Sequence, residues 1–324
     1  MTTFADVVDT VVEAPVVTSF TNIGYAVRSR LDDWEPLSGY DLSGRTMLVT
    51  GATSGLGFAA AEQLAGCGAN LLLLGRNAEK TERIRTELAS SSGNDDLEVV
   101  IADMGDLDAV RDAAAEVAAR VDSLDVLIHN AGALSNERRE GPAGIELTVA
   151  SQVVGPHLMT SLLLDQLRAA SPGRVITMSS GGMYTAGLTV SKLQMSADDY
   201  KGAEQYARAK RAQVTLNEMW SERVAPADVV FHALHPGWAD TPGVEEALPT
   251  FRKVVGPLLR SPMQGADTLV WLAADDGEPT DCSGAFWLDR RQRSIHKLPQ
   301  TRKTDTPERR LQLWDWVEDA AGLR

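Results

Sequence analysis

The chain predicts an α/β fold, a doubly wound, seven-stranded parallel sheet with helices on both faces, in a single domain with helical extensions at both termini. Three observations predict it. From Arg45 onward short β-rich runs alternate with longer helical patterns, the signature of a parallel sheet joined by helical crossovers. The first of these runs, Thr46-Met47-Leu48-Val49, enters a glycine turn, Gly51-x-x-x-Gly55-x-Gly57, after which a helical pattern begins. An apolar content of 44% in 324 residues is enough for a substantial core.

Residues 1–44 form an N-terminal extension in which Val16, Phe20, Ile23, Val27 and Leu31 recur every three or four positions. That stripe predicts an amphipathic helix packed on its own domain or on a sister subunit. Arg28 and Arg30 keep a membrane surface open as the alternative. The α/β domain spans 45–290, with strands near 46–50, 70–74, 97–101, 124–129, 174–179, 228–234 and 284–288. Helices are expected between them near 56–66, 78–90, 106–120, 143–170, 203–224 and 263–274. Ser90 to Asp96 is a polar connection, and no internal repeat is present. The C-terminal extension, 291–324, places Leu311, Trp314, Val317 and Ala320 at helical spacing over about 307–322, a helix to cover the core or a subunit face.

The formal net charge of −14 repels a phosphate backbone over most of the surface, so no nucleic-acid partner is expected. Cys67 and Cys282 are the only cysteines, which argues against a disulfide framework and suits a reducing cytoplasm. The chain start lacks the pattern of a secretory signal, and no stretch reaches the roughly 20 apolar residues that span a bilayer. No metal site is expected.

Chemistry concentrates at the carboxyl ends of the strands, where doubly wound sheets hold their ligands. The loop contributing Gly51, Thr53, Ser54, Gly55, Leu56 and Gly57 is the candidate pyrophosphate cradle. Glycines there permit a tight turn, and the helix that follows offers unpaired N–H donors at its positive end. About 20 residues on, where an acidic residue would bind ribose hydroxyls, the chain has Leu74-Gly75-Arg76-Asn77. Arg76, with Asn77 beside it, suits a 2′-phosphate, so NADP(H) is expected over NAD(H). Asp103, followed by Met104, could accept the adenine amino group or cap the next helix. Asn130-Ala131-Gly132 ends the fourth strand with small residues beside the cofactor, or is a plain turn.

Tyr206 and Lys210 stand four apart on a predicted helix and share a face. Free tyrosine is only about 0.1% phenolate at neutral pH, whereas an ammonium near 4 Å supplies up to about 4 kcal/mol, nearly three pKa units. Lys210 is therefore expected to activate Tyr206 as an acid–base group. Arg174 to Ser180 is a strand that ends in two hydroxyls, and its phase is open on sequence alone. No histidine sits in a nucleophile-elbow setting, which argues against a serine hydrolase.

Together these residues resemble the short-chain dehydrogenase/reductase superfamily over about 44–290: Thr-Gly-x-x-x-Gly-x-Gly, Asn-Ala-Gly, Ser and Tyr-x-x-x-Lys occur in order. The resemblance implies a Rossmann fold, with Ser180, Tyr206 and Lys210 as the catalytic set and Lys210 also on the nicotinamide ribose. Asn130 would stabilise the central strand. Pro236, Gly237 and Thr241, within His235-Pro236-Gly237-Trp238-Ala239-Asp240-Thr241, match the segment beside the nicotinamide. Where the family has a catalytic asparagine thought to hold a relay water, this chain aligns Gln152, whose extra methylene displaces that water or reaches it from a shifted position. Ser180 to Met183, His235 to Val244 and Gln264 to Thr268 are similar to the orphan dehydrogenase/reductase group called member twelve.

Between Ser180 and Tyr206 the apolar residues Met183, Tyr184, Leu188, Leu193 and Met195 suggest a hydrophobic pocket wall. Pro242 to Arg260, with Leu248, Phe251, Val254, Val255 and Leu258, is either a lid or a packing helix. The expected activity is hydride transfer between NADP(H) and a small apolar carbonyl or alcohol. The competing reading is a cofactor-binding regulatory or scaffolding protein with weak turnover. Both a homo-oligomer and a monomer fit the chain.

Overall fold

The computed structural model describes residues 3–324. Three helices, α1 (Phe4–Glu13), α2 (Val16–Phe20) and α3 (Asn22–Leu31), precede β1 (Thr46–Thr50). Then follow α4 (Gly55–Gly66), β2 (Asn70–Gly75), α5 (Ala78–Ser92), β3 (Leu97–Ile101), α6 (Leu107–Arg120) and β4 (Val126–His129). The next crossover comprises α7 (Leu147–Val149), a π-helical turn at Ala150–Val154, α8 (Gly155–Leu162) and α9 (Leu164–Ala170), and leads into β5 (Gly173–Met178). After α10 (Gly202–Ser221) and β6 (Val229–Leu234) come α11 (Pro242–Ala247), α12 (Pro249–Val255), α13 (Pro262–Ala274) and α14 (Glu278–Asp281). The chain closes with β7 (Ala285–Leu288), β8 (Arg291–Gln292), α15 (Pro299–Thr304) and α16 (Pro307–Ala321).

All the strands join one sheet in the order β3-β2-β1-β4-β5-β6-β7-β8. Pairing is parallel from β3 to β7, as expected for helical crossovers, and the order reverses between β1 and β4. The sheet has eight strands rather than seven, because β8 turns back antiparallel on β7, pairing Leu288 with Arg291. The turn is made by Asp289 and Arg290 at φ of 56° and 52°, two successive left-handed residues as in a type I′ hairpin.

Each central strand is buried on both faces, so its side chains feed two cores. Leu48, Leu72, Leu127, Val175 and Phe231 pack under α6, α8 and α10, and α16 adds Leu313, Val317 and Ala321. Met47, Val49, Leu71, Val126, Ile128 and Ile176 pack under α4 and α13 on the other face. Local sequence sets the helix ends. Ser261 and Gln264 form a reciprocal capping box behind Pro262 at the start of α13, while Thr306 caps α16 and Gly322 closes it in the left-handed conformation.

The amphipathic helix expected over 16–31 is two helices, broken at Thr21, which is extended at φ −87° and ψ 179°. Tertiary contacts cause the break. Arg28 donates to the Ser19 carbonyl at 3.0 Å, and Arg260 donates to the carbonyls of Ser19, Phe20 and Thr21 at 3.1 to 3.2 Å, which removes them from a continuous helical ladder. Phe20 is buried, whereas Val16 and Ile23 are exposed, so the stripe is only partly a packing face. Arg28 itself is fully enclosed and pairs with Asp9 at 2.7 Å, Glu13 at 2.8 Å and Asp289 at 2.7 Å. Asp289 also holds Arg260, at 2.5 and 2.9 Å.

Replacing Arg28 with Met leaves Asp289 and Asp9 short of a buried partner. The expected cost is about 3–5 kcal/mol, read from urea unfolding; a loss below about 1 kcal/mol contradicts the assignment of Arg28 as the anchor of the N-terminal helices.

Candidate active site

The crevice opens at the carboxyl ends of β1 and β4, where the strand order reverses. Thr50 ties these ends together: its hydroxyl donates to the Ile128 carbonyl at 3.0 Å and accepts the N–H groups of Asn130 at 3.0 Å and Ala131 at 3.1 Å. Asn130 returns the contact, its amide donating to the carbonyls of Thr50 at 3.1 Å and Gly51 at 3.3 Å. That approach requires glycine at 57, because a Cβ there would lie 2.2 Å from the Gly51 carbonyl and 2.3 Å from the Asn130 amide. Asn130 thus locks the turn that contains Gly51, Thr53, Ser54, Gly55 and Leu56.

Ser54 precedes α4 without capping it, so the first-turn N–H groups have no side-chain partner. A pyrophosphate fits such an end. Arg76, beyond β2, is exposed and makes no ion pair among the described residues. Asn77 caps α5, its Oδ1 accepting the Lys80 N–H at 2.8 Å. Asp103 lies exposed beyond β3 and accepts the Gly105 N–H at 2.9 Å, while Met104 is buried beside it. Asp106, not Asp103, caps α6. On the opposite side, Thr241 caps α11 beside Gly55, and Arg260 packs under Gly237, its guanidinium donating to the Pro236 carbonyl at 3.3 Å.

The helix α10 carries Tyr206 and Lys210 one turn apart, as their spacing requires. Strand alternation at the end of β5 resolves the two serines. Ser179 is buried and its hydroxyl donates to the Lys210 carbonyl at 3.2 Å, whereas Ser180 is half-buried and stands beside the Tyr206 phenol. Lys210 donates from Nζ to the Met178 carbonyl at 2.8 Å and lies 5.2 Å from the centre of the Tyr206 ring.

The expectation that Lys210 lowers the Tyr206 pKa is corrected. Burial pushes the phenol up to about 12, and the Ser180 hydrogen bond offsets this only in part. Burial likewise brings the Lys210 ammonium down to about 7, so it carries only a partial charge at neutral pH. Lys210 also lies over the ring and holds a carbonyl rather than the phenol oxygen.

Gln152 sits in the π-helical turn, fully buried, with its amide donating to the Ala133 carbonyl at 2.8 Å. Its side chain presses on Gly132, where a Cβ would lie 2.8 Å from the Gln152 Cδ. The Gln152 backbone carbonyl accepts from the Gln213 amide at 2.6 Å. The extra methylene therefore carries the amide to the loop after β4, and a second glutamine, on α10, takes the carbonyl. Sequence reasoning missed Gln213 and the hydrogen-bonding role of Thr50; only the Lys210 to Gln213 spacing, three along one helix face, could have pointed to the first.

A family profile described as short chain dehydrogenase matches residues 45–250. The chain is a short-chain dehydrogenase/reductase. It is 37% identical over 306 residues to dehydrogenase/reductase SDR family member 12 of Homo sapiens, covering 93% of this chain and 94% of that one. It is 29% identical over 261 residues to retinol dehydrogenase 13 of Homo sapiens, covering 78% of each. A solved short chain dehydrogenase from Escherichia coli CFT073, complexed with NADPH, shares the fold at a TM-score of 0.63 and 23% identity, covering 77% of this chain and 98% of that one.

In this short-chain dehydrogenase/reductase the segment after Ser180 is not an open pocket wall. Met183, Tyr184, Leu188, Leu193 and Met195 are all buried in the cores, and the Tyr184 hydroxyl donates to the Ser294 carbonyl at 2.9 Å. Other apolar side chains follow β6: the Trp238 ring meets Phe251 edge-on at 5.0 Å, and Leu248, between α11 and α12, and Val254 are exposed. Two hollows, of about 460 and 470 Å³, lie elsewhere and touch none of Ser180, Tyr206 and Lys210.

The lowered Lys210 pKa has a definite sign. Between about pH 7 and 10 the unfolded chain binds a proton at this lysine that the folded chain does not, so stability rises with pH across that window. Relative to a Lys210→Met variant, the wild type is expected to gain up to about 4 kcal/mol from pH 7 to 10 in denaturant unfolding. Parallel profiles for the two proteins contradict a depressed Lys210.

Proposed function

We propose that the chain transfers hydride between NADP(H) and a small apolar carbonyl or alcohol, with Tyr206 as the acid–base group. The observation that carries this reading is the convergence of the Ser180 and Tyr206 hydroxyls at a crevice bordered by the glycine turn, with Lys210 against the same phenol. Bound NADPH would supply the hydride. Gly51 to Gly57 and the start of α4 would hold its pyrophosphate, Arg76 its 2′-phosphate, and Lys210, Pro236, Gly237 and Thr241 its nicotinamide end.

The proton chemistry follows from the resting states. A phenol raised to about 12 keeps its proton at neutral pH, which suits a donor to the oxygen of a carbonyl being reduced. Ser180 is placed to hydrogen-bond the same oxygen and fix its position. Trp238, Phe251 and Leu248, which flank Thr241 where it packs beside Gly55, favour an apolar substrate. The retinol dehydrogenase relative and the neighbour complexed with NADPH support the substrate and cofactor classes.

One observation favours the second reading, a regulatory or scaffolding protein with weak turnover: the Nε2 and the backbone carbonyl of Gln152 are committed to protein partners, which leaves only its buried Oε1 without one among the described residues. Turnover separates the two.

Against a panel of apolar aldehydes and ketones, Tyr206→Phe is expected to lower kcat by about 100-fold or more while the Kd for NADPH stays within about three-fold. Unchanged turnover removes the phenol from the mechanism, and a wild type without turnover favours the scaffold. For Arg76→Ala the Kd for NADPH is expected to rise roughly ten- to hundred-fold with NADH binding unaffected. Equal effects on both cofactors refute the phosphate assignment.

A further inference from the structure

His235 is the first residue after β6, fully enclosed, and no step described so far uses it. Its Nδ1 accepts the backbone N–H of Gly181 at 3.0 Å. A backbone N–H can only donate, so Nδ1 carries no proton and the ring must be the Nε2–H tautomer. Nε2 is buried without a hydrogen-bond partner among the described residues. The Phe20 ring packs against the imidazole, perpendicular at 82° with the ring centres 4.3 Å apart.

Gly181 is fitted to this arrangement. A Cβ there would lie 2.8 Å from Phe20 Cε2 and 2.9 Å from His235 Nε2, so only glycine lets the chain pass between the two rings. The peptide held in this way joins Ser180 to Gly181. Ser180 then caps the short turn at Gly181–Thr185, its hydroxyl accepting the Gly182 N–H at 3.2 Å while it also meets Tyr206. Phe20 is fixed in turn, its carbonyl accepting from Trp238 N–H at 2.6 Å and from Arg260 at 3.1 Å.

We propose that His235 is a positioning residue for Ser180: its neutral imidazole, clamped by Phe20 of the N-terminal helices, fixes the peptide that aims the Ser180 hydroxyl at Tyr206. The proposal rests on the hydride-transfer reading for its kinetic consequence only. Arg260, Asp289 and Lys297 face the imidazole, and burial first, with Arg260 adding to it, lowers its pKa to about 3. The ring therefore stays neutral across the working pH range.

The test begins on the wild type without cofactor. A coupling across the hydrogen bond between Gly181 N and His235 Nδ1, together with an Nε2–H tautomer in the ¹⁵N spectrum, is expected; an Nδ1–H tautomer overturns the proposal whether or not the protein turns over. His235→Leu is expected to lose exchange protection at the Gly181 and Gly182 amides and to lower kcat about ten-fold or more, with the Kd for NADPH within about three-fold. His235→Asn, whose Oδ1 replaces Nδ1 as the acceptor, is expected to restore both amides and most of kcat. Equal impairment of the Asn and Leu variants, or full amide protection in the Leu variant, overturns the proposal. Absence of turnover in the wild type, with the amide pattern as expected, defeats the hydride-transfer reading alone.

Discussion

Asp289 sits between two enclosed guanidiniums, those of Arg28 and Arg260, and three parts of the chain meet on its carboxylate. Arg28 brings the N-terminal helices, Arg260 brings the segment between α12 and α13, and Asp289 directly follows the last parallel strand, β7. A cluster of this kind is a poor source of net stability, because removing each charge from water costs several kcal/mol that the pairing roughly repays. Its value lies in specificity. The two guanidiniums share one carboxylate and between them bind the three successive carbonyls of Ser19, Phe20 and Thr21. The cluster therefore selects one seating of the N-terminal helices on the sheet.

The same residue explains a local cost. Asp289 and Arg290 both adopt the left-handed conformation, which costs a non-glycine residue about 1–2 kcal/mol. Each is held there by its side chain, Asp289 by the two arginines and Arg290 by Asp267 at 2.8 and 3.0 Å. The turn creates β8, and β8 carries Arg291, which pairs with Asp32 after α3 and Asp6 in α1. Strain at the hairpin and order at the N-terminus are two faces of one charge network.

What was legible in the sequence follows from the range of the forces involved. The seven parallel strands were readable because each is a short apolar run bounded by polar turns, and the helices between them because their apolar positions recur. β8 was not, since a two-residue strand has no periodicity and its turn is Asp-Arg rather than the glycine-containing pair that marks such hairpins. The break at Thr21 was not, because it is imposed by arginines 7 and 239 residues away. At the site, the glycine turn, Tyr206 and Lys210 could be read from spacing and Ser180 from the family resemblance, whereas the hydrogen bonds that Thr50, Gln213 and His235 make to backbone groups of distant loops leave no local pattern. The electrostatics misled for the same reason: a pair distance can be guessed from helical spacing, but burial, which governs both Tyr206 and Lys210, cannot.

That burial gives the site its character. Tyr206 keeps its proton, Lys210 is only partly charged near neutral pH, and His235 is neutral. Three groups at the reacting end thus have charged forms that burial disfavours, in a chain that is otherwise strongly acidic. A charge brought close to such groups acts with little solvent screening, so an anion near Lys210 restores its ammonium and a cation near Tyr206 favours its phenolate. The protonation states then become properties of the ligand as much as of the protein. Rigid placement is what the chain itself must supply, and it does so through neutral hydrogen bonds: Thr50 and Asn130 on the glycine turn, Gln213 on Gln152, and His235 on Gly181. Neutral hydrogen bonds hold their geometry when a charge arrives, whereas ion pairs at the same positions would compete for it; the most enclosed ion pairs of this fold lie instead at Asp289.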